Sequence, residues 1–269
     1  MTLRQSQDER NTERSITIAI LAMGGEGGGV LADWLVDLAE HNGYFAQTTS
    51  VPGVAQRTGA TVYYLEMFPE AATPPGSLPV MALGPVPGEV DVVLASELME
   101  AGRALQRGLV SSGRTTFIAS THRVYSMTER TAMGDGRVDA DKLMAGAAAA
   151  AKKWIHADFA QLSDQACSLI APALYGALAA SGSLPFSRAQ FEATITRGGV
   201  GVGTSLKAFA AGFAVALSGH STTPTKTPEE TAMPKVGVRL AALADRIRAD
   251  FPSGNHATLA VGITRMADY

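Results

Sequence analysis

Hydrophobic positions first gather in SITIAILAM (15–23), a β-branched apolar run of the kind that forms a buried strand. The run ends in GGEGGG. The next apolar residues return at helical spacing in VLADWLVDLAEHNG, where Val30, Trp34, Leu35 and Leu38 share one face and Gly43 supplies a stop. YFAQTTS and ATVYYLEM read as a second and third strand, and DVVLAS (91–96) as a fourth, buried one. The helical pattern ELMEAGRALQRGLV follows, and TTFIAS (115–120) makes a fifth strand. Strands alternating with helices predict an α/β fold: an open, largely parallel, Rossmann-like sheet flanked by helices. Between the third and fourth strands the proline-rich PEAATPPGSLPVMALGPVPGEV predicts an extended surface loop.

From residue 138 the pattern turns helical. VDADKLMAGAAAAAKK is a strong helix former with Asp139 or Asp141 as N-cap, and WIHADF can add one more strand. Helices are predicted over 163–181, 187–196 and 204–217, the last apolar nearly all round. The polar stretch SGHSTTPTKTPEETAMPK reads as a linker leading to two short helices. The predicted organisation is a disordered lead-in (1–15), a main domain (16–217), a linker (218–235) and a helical C-terminal extension (236–269).

Composition narrows the function classes. At 269 residues the chain can bury a sizeable core, and a net charge of −3 gives no general electrostatic reason to expect nucleic acid. The most apolar helical stretch, AFAAGFAVAL (208–217), is too short to span a bilayer, and the polar N-terminus lacks a secretory apolar region, so a soluble cytoplasmic protein is expected. The single cysteine, Cys167, excludes a disulfide or a cysteine-ligated iron–sulfur cluster held within this chain. Lying in QACSLIAPALYGAL, it is expected to be an inert core thiol. The five histidines show no metal-ligand spacing and are expected to be structurally satisfied or exposed.

Few motifs survive inspection. The glycines at 24, 25, 27, 28 and 29 lie between a strand and a helix, where a phosphate cradle would sit. Counted from Gly25, a dinucleotide fingerprint needs a third glycine where Val30 stands, and Gln47, Thr48 and Thr49 occupy the place of the ribose-binding acid. Tight-turn and packing glycines, or an anion at the helix start, both fit. MGDGR (133–137) opens like a thiamine diphosphate and magnesium motif but lacks the closing Asn-Asn pair, so a turn is expected there. No nucleophile elbow and no metal-binding His pair occur. Arg57 therefore stands out in SVPGVAQRTGA, between two strands and among small residues. Its fork suits a carboxylate or phosphate; a salt bridge to Glu26 or to a partner subunit fits equally.

The stretch AILAMGGEGGGVLADWLVDLAEHNGYFAQTTSVPGVAQRTGATVYYLEMFP closely resembles the gamma domain of the 2-oxoacid:ferredoxin oxidoreductases. Within that superfamily it is similar to the beta subunit of indolepyruvate ferredoxin oxidoreductase. The resemblance runs from Ile16 to Leu217 and is most specific in the glycine turn and SVPGVAQRTGATVYY. It implies a subunit without its own catalytic or metal-binding residues. The partner alpha subunit would hold thiamine diphosphate, magnesium and the iron–sulfur clusters. The complex would convert an aryl pyruvate and coenzyme A into an arylacetyl-CoA and carbon dioxide, reducing ferredoxin. Gly25, Gly27, Gly28, Ser50, Arg57 and Thr58 are then the residues expected to face a cofactor, substrate or partner at the subunit boundary. Glu26 stands where family members usually carry Gln, and GITRMADY resembles the point at which longer bacterial members continue.

Two other functions remain compatible with the same residues. One is a stand-alone nucleotide- or anion-binding protein using the glycine turn. The other is a purely structural subunit with no residue in an active site.

Overall fold

The computed structural model describes residues 14–51, 61–125, 129, 137–218, 240–252, 255, 256, 259, 260 and 263. Six strands form one sheet: β1 (Ile16–Ala22), β2 (Tyr44–Val51), β3 (Thr61–Pro69), β4 (Val92–Ala95), β5 (Thr116–Ser120) and β6 (Lys153–Ala157). Their order is β2-β3-β1-β4-β5-β6. The pairs β1–β4, β4–β5 and β5–β6 are parallel, whereas β3 runs antiparallel to both β1 and β2. The sheet is thus open and largely parallel, with an antiparallel strand inserted beside β1.

Side chains alternate across this sheet, and each face collects its own core. Ile18, Ile20, Val92, Leu94 and Ile118 face one layer, made by α1 (Gly28–Glu40), α4 (Phe159–Gln165), α5 (Ile170–Ser181), α6 (Arg188–Gly198) and α7 (Val202–Ser218). Ala19, Leu21, Val93, Phe117 and Ala119 face the other, made by α2 (Leu98–Gln106) and α3 (Ala140–Ala150). The small residues Ala101, Ala104 and Ala147 let that second layer sit close to the sheet. Asp139, not Asp141, caps α3, its carboxylate accepting from the backbone N–H groups of Asp141 and Lys142.

The buried stripe of α1 is Leu31, Leu35 and Leu38, while Val30 is 42% exposed. The expectation that Val30 shares the buried face is therefore corrected: it lies one residue round the helix from Leu31, on the side turned away from the sheet. The single helix expected over 163–181 is two helices. The chain breaks after Gln165, and Cys167 adopts a left-handed backbone conformation, φ 53°. Cys167 is accordingly exposed rather than a core thiol, because its apolar neighbours in sequence belong to the helix that follows.

Helices α5 and α7 cross in near backbone contact. A Cβ on Gly176 would lie 2.0 Å from the Phe209 carbonyl oxygen, and one on Gly212 would lie 2.0 Å from that of Ala173. Tyr175, Phe191 and Phe209 pack in the surrounding core with ring centroids 4.7–6.4 Å apart. At the amino edge of the sheet, Asp91 accepts from the Thr17 backbone N–H and from Arg14 and Arg114. Burial would raise its carboxyl, but these bonds together hold it below the usual range.

The chain divides into two compact units, Met1–Thr223 and Pro224–Tyr269. Within the second, α8 (Ala241–Asp250) buries Ala244 and Ile247 and carries the surface pair Arg248–Asp245. Among the described residues no helix is long and apolar enough to cross a membrane.

Candidate functional site

Helix α1 follows β1 onto one face of the sheet and α2 follows β4 onto the other, so the turns after these adjacent parallel strands diverge. Such a divergence leaves a crevice outside the carboxyl ends of the strands, the usual place for ligands in an open α/β sheet. The polar residues that follow β1, β4 and β5 meet there.

The glycine turn forms one wall. Gly25 and Gly27 have φ 94° and 76°, and Gly27 is the N-cap of α1. Gly28 answers to packing: its Cβ would lie 2.5 Å from that of Ala22 and 2.8 Å from Cε2 of Tyr63. Glu26 projects from this turn into a bonded cluster. One carboxylate oxygen accepts from the Ser96 hydroxyl and, at 3.3 Å, from the Met23 N–H; the other lies 3.3 Å from Nε2 of His122. Since a carboxylate only accepts, Nε2 carries the proton in this contact. Nδ1 of His122 lies 2.8 Å from the Ser120 hydroxyl, which itself accepts from the Phe159 N–H at 3.0 Å. A continuous relay therefore links β5, the His122 ring and the glycine turn.

Among the described residues the charge beside the glycine turn is that of Glu26, with Glu97 and Glu100 buried at the start of α2. Burial would raise the Glu26 carboxyl, yet the bonds from His122, Ser96 and Met23 outweigh it and hold the group below its ordinary range. Glu97 caps α2, accepting from the N–H groups of Met99 at 2.8 Å, Glu100 at 2.7 Å and Val124 at 3.3 Å. Its carboxyl is raised because burial exceeds what these bonds return, and the Glu26 charge adds to the shift. Glu100, fully buried, makes an ion pair with Arg103 at 3.0 Å but accepts no hydrogen bond. Burial pushes it up to about 7. The arrangement fixes the His122 ring between Glu26 and the Ser120 hydroxyl. Among the described residues no group of three or more His, Cys, Asp or Glu is placed to hold a metal ion.

Of the residues singled out from sequence, Gly25, Gly27 and Gly28 line this edge. Ser50 is exposed near the end of β2, in register with Tyr63, whose ring packs on Gly28. Arg57 and Thr58 lie outside the described residues, as does MGDG (133–136). The segment that carries Arg57 leaves the sheet at Val51 and re-enters at Thr61, and Thr61 pairs with Ala22 at the end of β1. Its two ends are therefore on the same edge as the glycine turn. Sequence reasoning missed Ser96, Glu97, Ser120 and His122. The available signal was the repeated strand ending ASE (95–97) and ASTH (119–122), polar residues placed immediately after short buried runs.

Residues 17–215 match the protein family described as pyruvate ferredoxin/flavodoxin oxidoreductase. No curated protein matches the chain. Among solved structures, the 2-oxoglutarate:ferredoxin oxidoreductase of Magnetococcus marinus, with 2-oxoglutarate, coenzyme A and succinyl-CoA bound, is similar with a TM-score of 0.52 at 16% identity. The similarity covers 76% of this chain and 31% of that one, so the present chain spans about a third of its length. A pyruvate oxidoreductase subunit of Thermotoga maritima (TM-score 0.49, 16% identity, 75% of this chain and 97% of that one) is also similar. So is a keto/oxoacid ferredoxin oxidoreductase gamma subunit of Geobacter sulfurreducens (0.49, 15%, 76% and 99%). At 16% identity the likeness to the Magnetococcus marinus enzyme is one of fold alone.

Proposed function

The chain belongs to the pyruvate ferredoxin/flavodoxin oxidoreductase family, and from that premise we propose that it is the gamma-type subunit of a 2-oxoacid:ferredoxin oxidoreductase of the indolepyruvate type. The assembled enzyme oxidatively decarboxylates an aryl pyruvate in the presence of coenzyme A. It releases carbon dioxide, forms the arylacetyl thioester and passes the electron pair to ferredoxin. The thiamine diphosphate, magnesium and iron–sulfur clusters belong to an alpha partner, and the complex works in the cytoplasm. Residues 16–217 are the gamma-type domain, with 218–235 as a linker to a separate helical segment (236–269).

One observation carries the family half of this reading: the match spans residues 17–215, from β1 to α7. The aryl preference rests on the resemblance of SVPGVAQRTGATVYY to the indolepyruvate enzymes. Gly25, Gly27, Gly28, Ser50, Arg57 and Thr58 are proposed to face the thiamine-bearing subunit, because the glycine turn and both ends of segment 52–60 share one sheet edge.

The test is co-purification of the chain with its thiamine-dependent partner, followed by ferredoxin reduction with coenzyme A and each of indolepyruvate, phenylpyruvate, pyruvate and 2-oxoglutarate. The reading expects the two aryl substrates to have the highest kcat/KM, and no turnover by this chain alone. Preference for pyruvate or 2-oxoglutarate removes the indolepyruvate assignment while leaving the family; failure to associate with any thiamine-bearing protein removes the subunit role.

A further inference from the structure

In the helical layer packed against the glycine turn, where a Cβ on Gly27 would lie 3.0 Å from that of Ala171, a cavity of about 640 Å³ opens between α1, α5 and the start of α7. Its size is that of a small-molecule site. The walls are largely hydrocarbon: Val30 and Trp34 from α1, Leu169 before α5, Ala171 and Pro172 within it, and Val200 before α7.

Two features give this apolar space a polar preference. First, it is lined by residues at the starts of two long helices, Leu169, Ala171 and Pro172 at α5 and Gly201, Thr204 and Ser205 at α7. Neither helix has an acidic residue in its first turn, and α5 has no side-chain cap. Of these lining residues, Ala171 and Thr204 have backbone N–H groups with no acceptor among the described residues. Helix starts of this kind favour a negative charge. Second, Ser205 is 7% exposed on the cavity wall beside Gly201, and its hydroxyl has no hydrogen-bond partner among the described residues. A hydroxyl that opens onto an apolar cavity without a protein partner is free to donate to a bound acceptor. Among the described residues no lysine or arginine lines the cavity, so its field suits a single negative charge rather than a polyphosphate.

We infer that this cavity binds a small organic monoanion with a bulky apolar body, a carboxylate carried on an aromatic or branched hydrocarbon. The carboxylate sits at the α5 and α7 starts against Ser205, and the hydrocarbon lies on Trp34 and Val30. This inference is independent of the reaction proposed above.

Cys167 provides the readout, since it lines the cavity, is exposed and is the chain's single cysteine. The full-length chain is titrated with 1-naphthaleneacetate, with the neutral 1-naphthaleneethanol and with inorganic phosphate. The rate of Cys167 alkylation by uncharged N-ethylmaleimide is followed by mass spectrometry. Saturable protection by the naphthaleneacetate is expected, at least about fivefold tighter than by the alcohol, with none from phosphate. Val30→Trp, at an exposed position, should fill the cavity and abolish protection, and Ser205→Ala should weaken it about threefold or more. Absence of protection, equal protection by the alcohol, or stronger protection by phosphate overturns the inference. Unchanged affinity in the Val30→Trp chain overturns it as well, because the ligand then lies elsewhere.

Discussion

Glu26, in the turn after β1, and His122, in the loop after β5, lie 3.3 Å apart between a carboxylate oxygen and Nε2, although 96 residues separate them in the chain. The contact closes the polar crevice from both sides. It also places an anion where a dinucleotide phosphate would otherwise meet the α1 helix start, so the glycine turn begins with negative charge already beside it.

Glu26→Gln should change the His122 tautomer rather than break the site. A glutamine offers one acceptor oxygen and one NH₂ donor in place of two acceptors. If the oxygen keeps Ser96 and Met23, the NH₂ faces Nε2, which must then accept, and Nδ1 donates to Ser120. Nitrogen-15 spectra of the His122 ring should report Nε2–H in the native chain and Nδ1–H in the variant, with stability changed by less than about 1 kcal/mol. Glu26→Leu, which leaves the donors of Ser96 and His122 without this acceptor, should cost about 1–3 kcal/mol in urea unfolding. An Nδ1–H ring already present in the native chain refutes the assignment.

The α5–α7 crossing predicts a sharp contrast among glycines. Alanine at 176 or 212 places a methyl carbon 2.0 Å from a backbone carbonyl, so the helices must part and the Tyr175–Phe209 core must open. Each substitution should lower the unfolding free energy by about 3 kcal/mol or prevent folding. Gly146 lies in exposed α3, where an added Cβ meets only Leu105 Cδ1 at 4.0 Å. Gly146→Ala should stabilise by up to about 1 kcal/mol through helix propensity. Denaturation midpoints for the three variants check the order.

Much of this architecture was legible because local pattern and final burial agree. Runs such as DVVLAS and TTFIAS are apolar on both faces, and the structure covers both faces. The orientation of β3 was not legible. Its antiparallel pairing with β1 depends on which neighbour it finds, and ATVYYLEM carries no mark of direction. Cys167 was misplaced for a similar reason: apolar neighbours in sequence suggested burial, but a left-handed residue at a helix break moved it to the surface. The strand endings alone did not assemble the Glu26 cluster, because each of its members is an ordinary polar residue at or after a strand end. Only the parallel register of β1, β4 and β5 brings the three strand ends together.

Glu100 predicts a pH-dependent stability. In the folded chain burial keeps its proton up to about pH 7, with Glu97 and Glu26 adding to the shift and Arg103 and Arg107 opposing it, against an ordinary value of 4.5. The unfolded state therefore releases its proton first, and stability falls as pH rises from about 4.5 to about 7. Glu100→Gln removes this contribution. Relative to the variant, the native chain should lose on the order of 2 kcal/mol between pH 5 and pH 7.5. Parallel pH profiles for the two proteins in urea titrations would show that Arg103 already compensates the buried charge.

Arg57 supplies the sharpest test of the proposed subunit boundary. Its segment starts and ends on the sheet edge that carries the glycine turn, Glu26 and His122. The Glu26 carboxylate lies at that edge, so a cation beside it has two destinations: inward to a carboxylate, or outward to an anionic substrate, cofactor or partner residue. Glu26 already receives bonds on both oxygens, and Glu97 accepts three backbone donors, which favours the outward role. A charge-assisted bond to an anionic ligand contributes on the order of 1.5–3 kcal/mol. In the reconstituted complex Arg57→Ala should therefore lower kcat/KM roughly ten- to a hundredfold, while the isolated chain keeps its unfolding midpoint. Arg57→Lys should recover only part of the loss, because a point charge replaces a fork. Normal turnover by the alanine variant reduces Arg57 to a local salt bridge, and loss of assembly assigns it to the interface instead of the ligand.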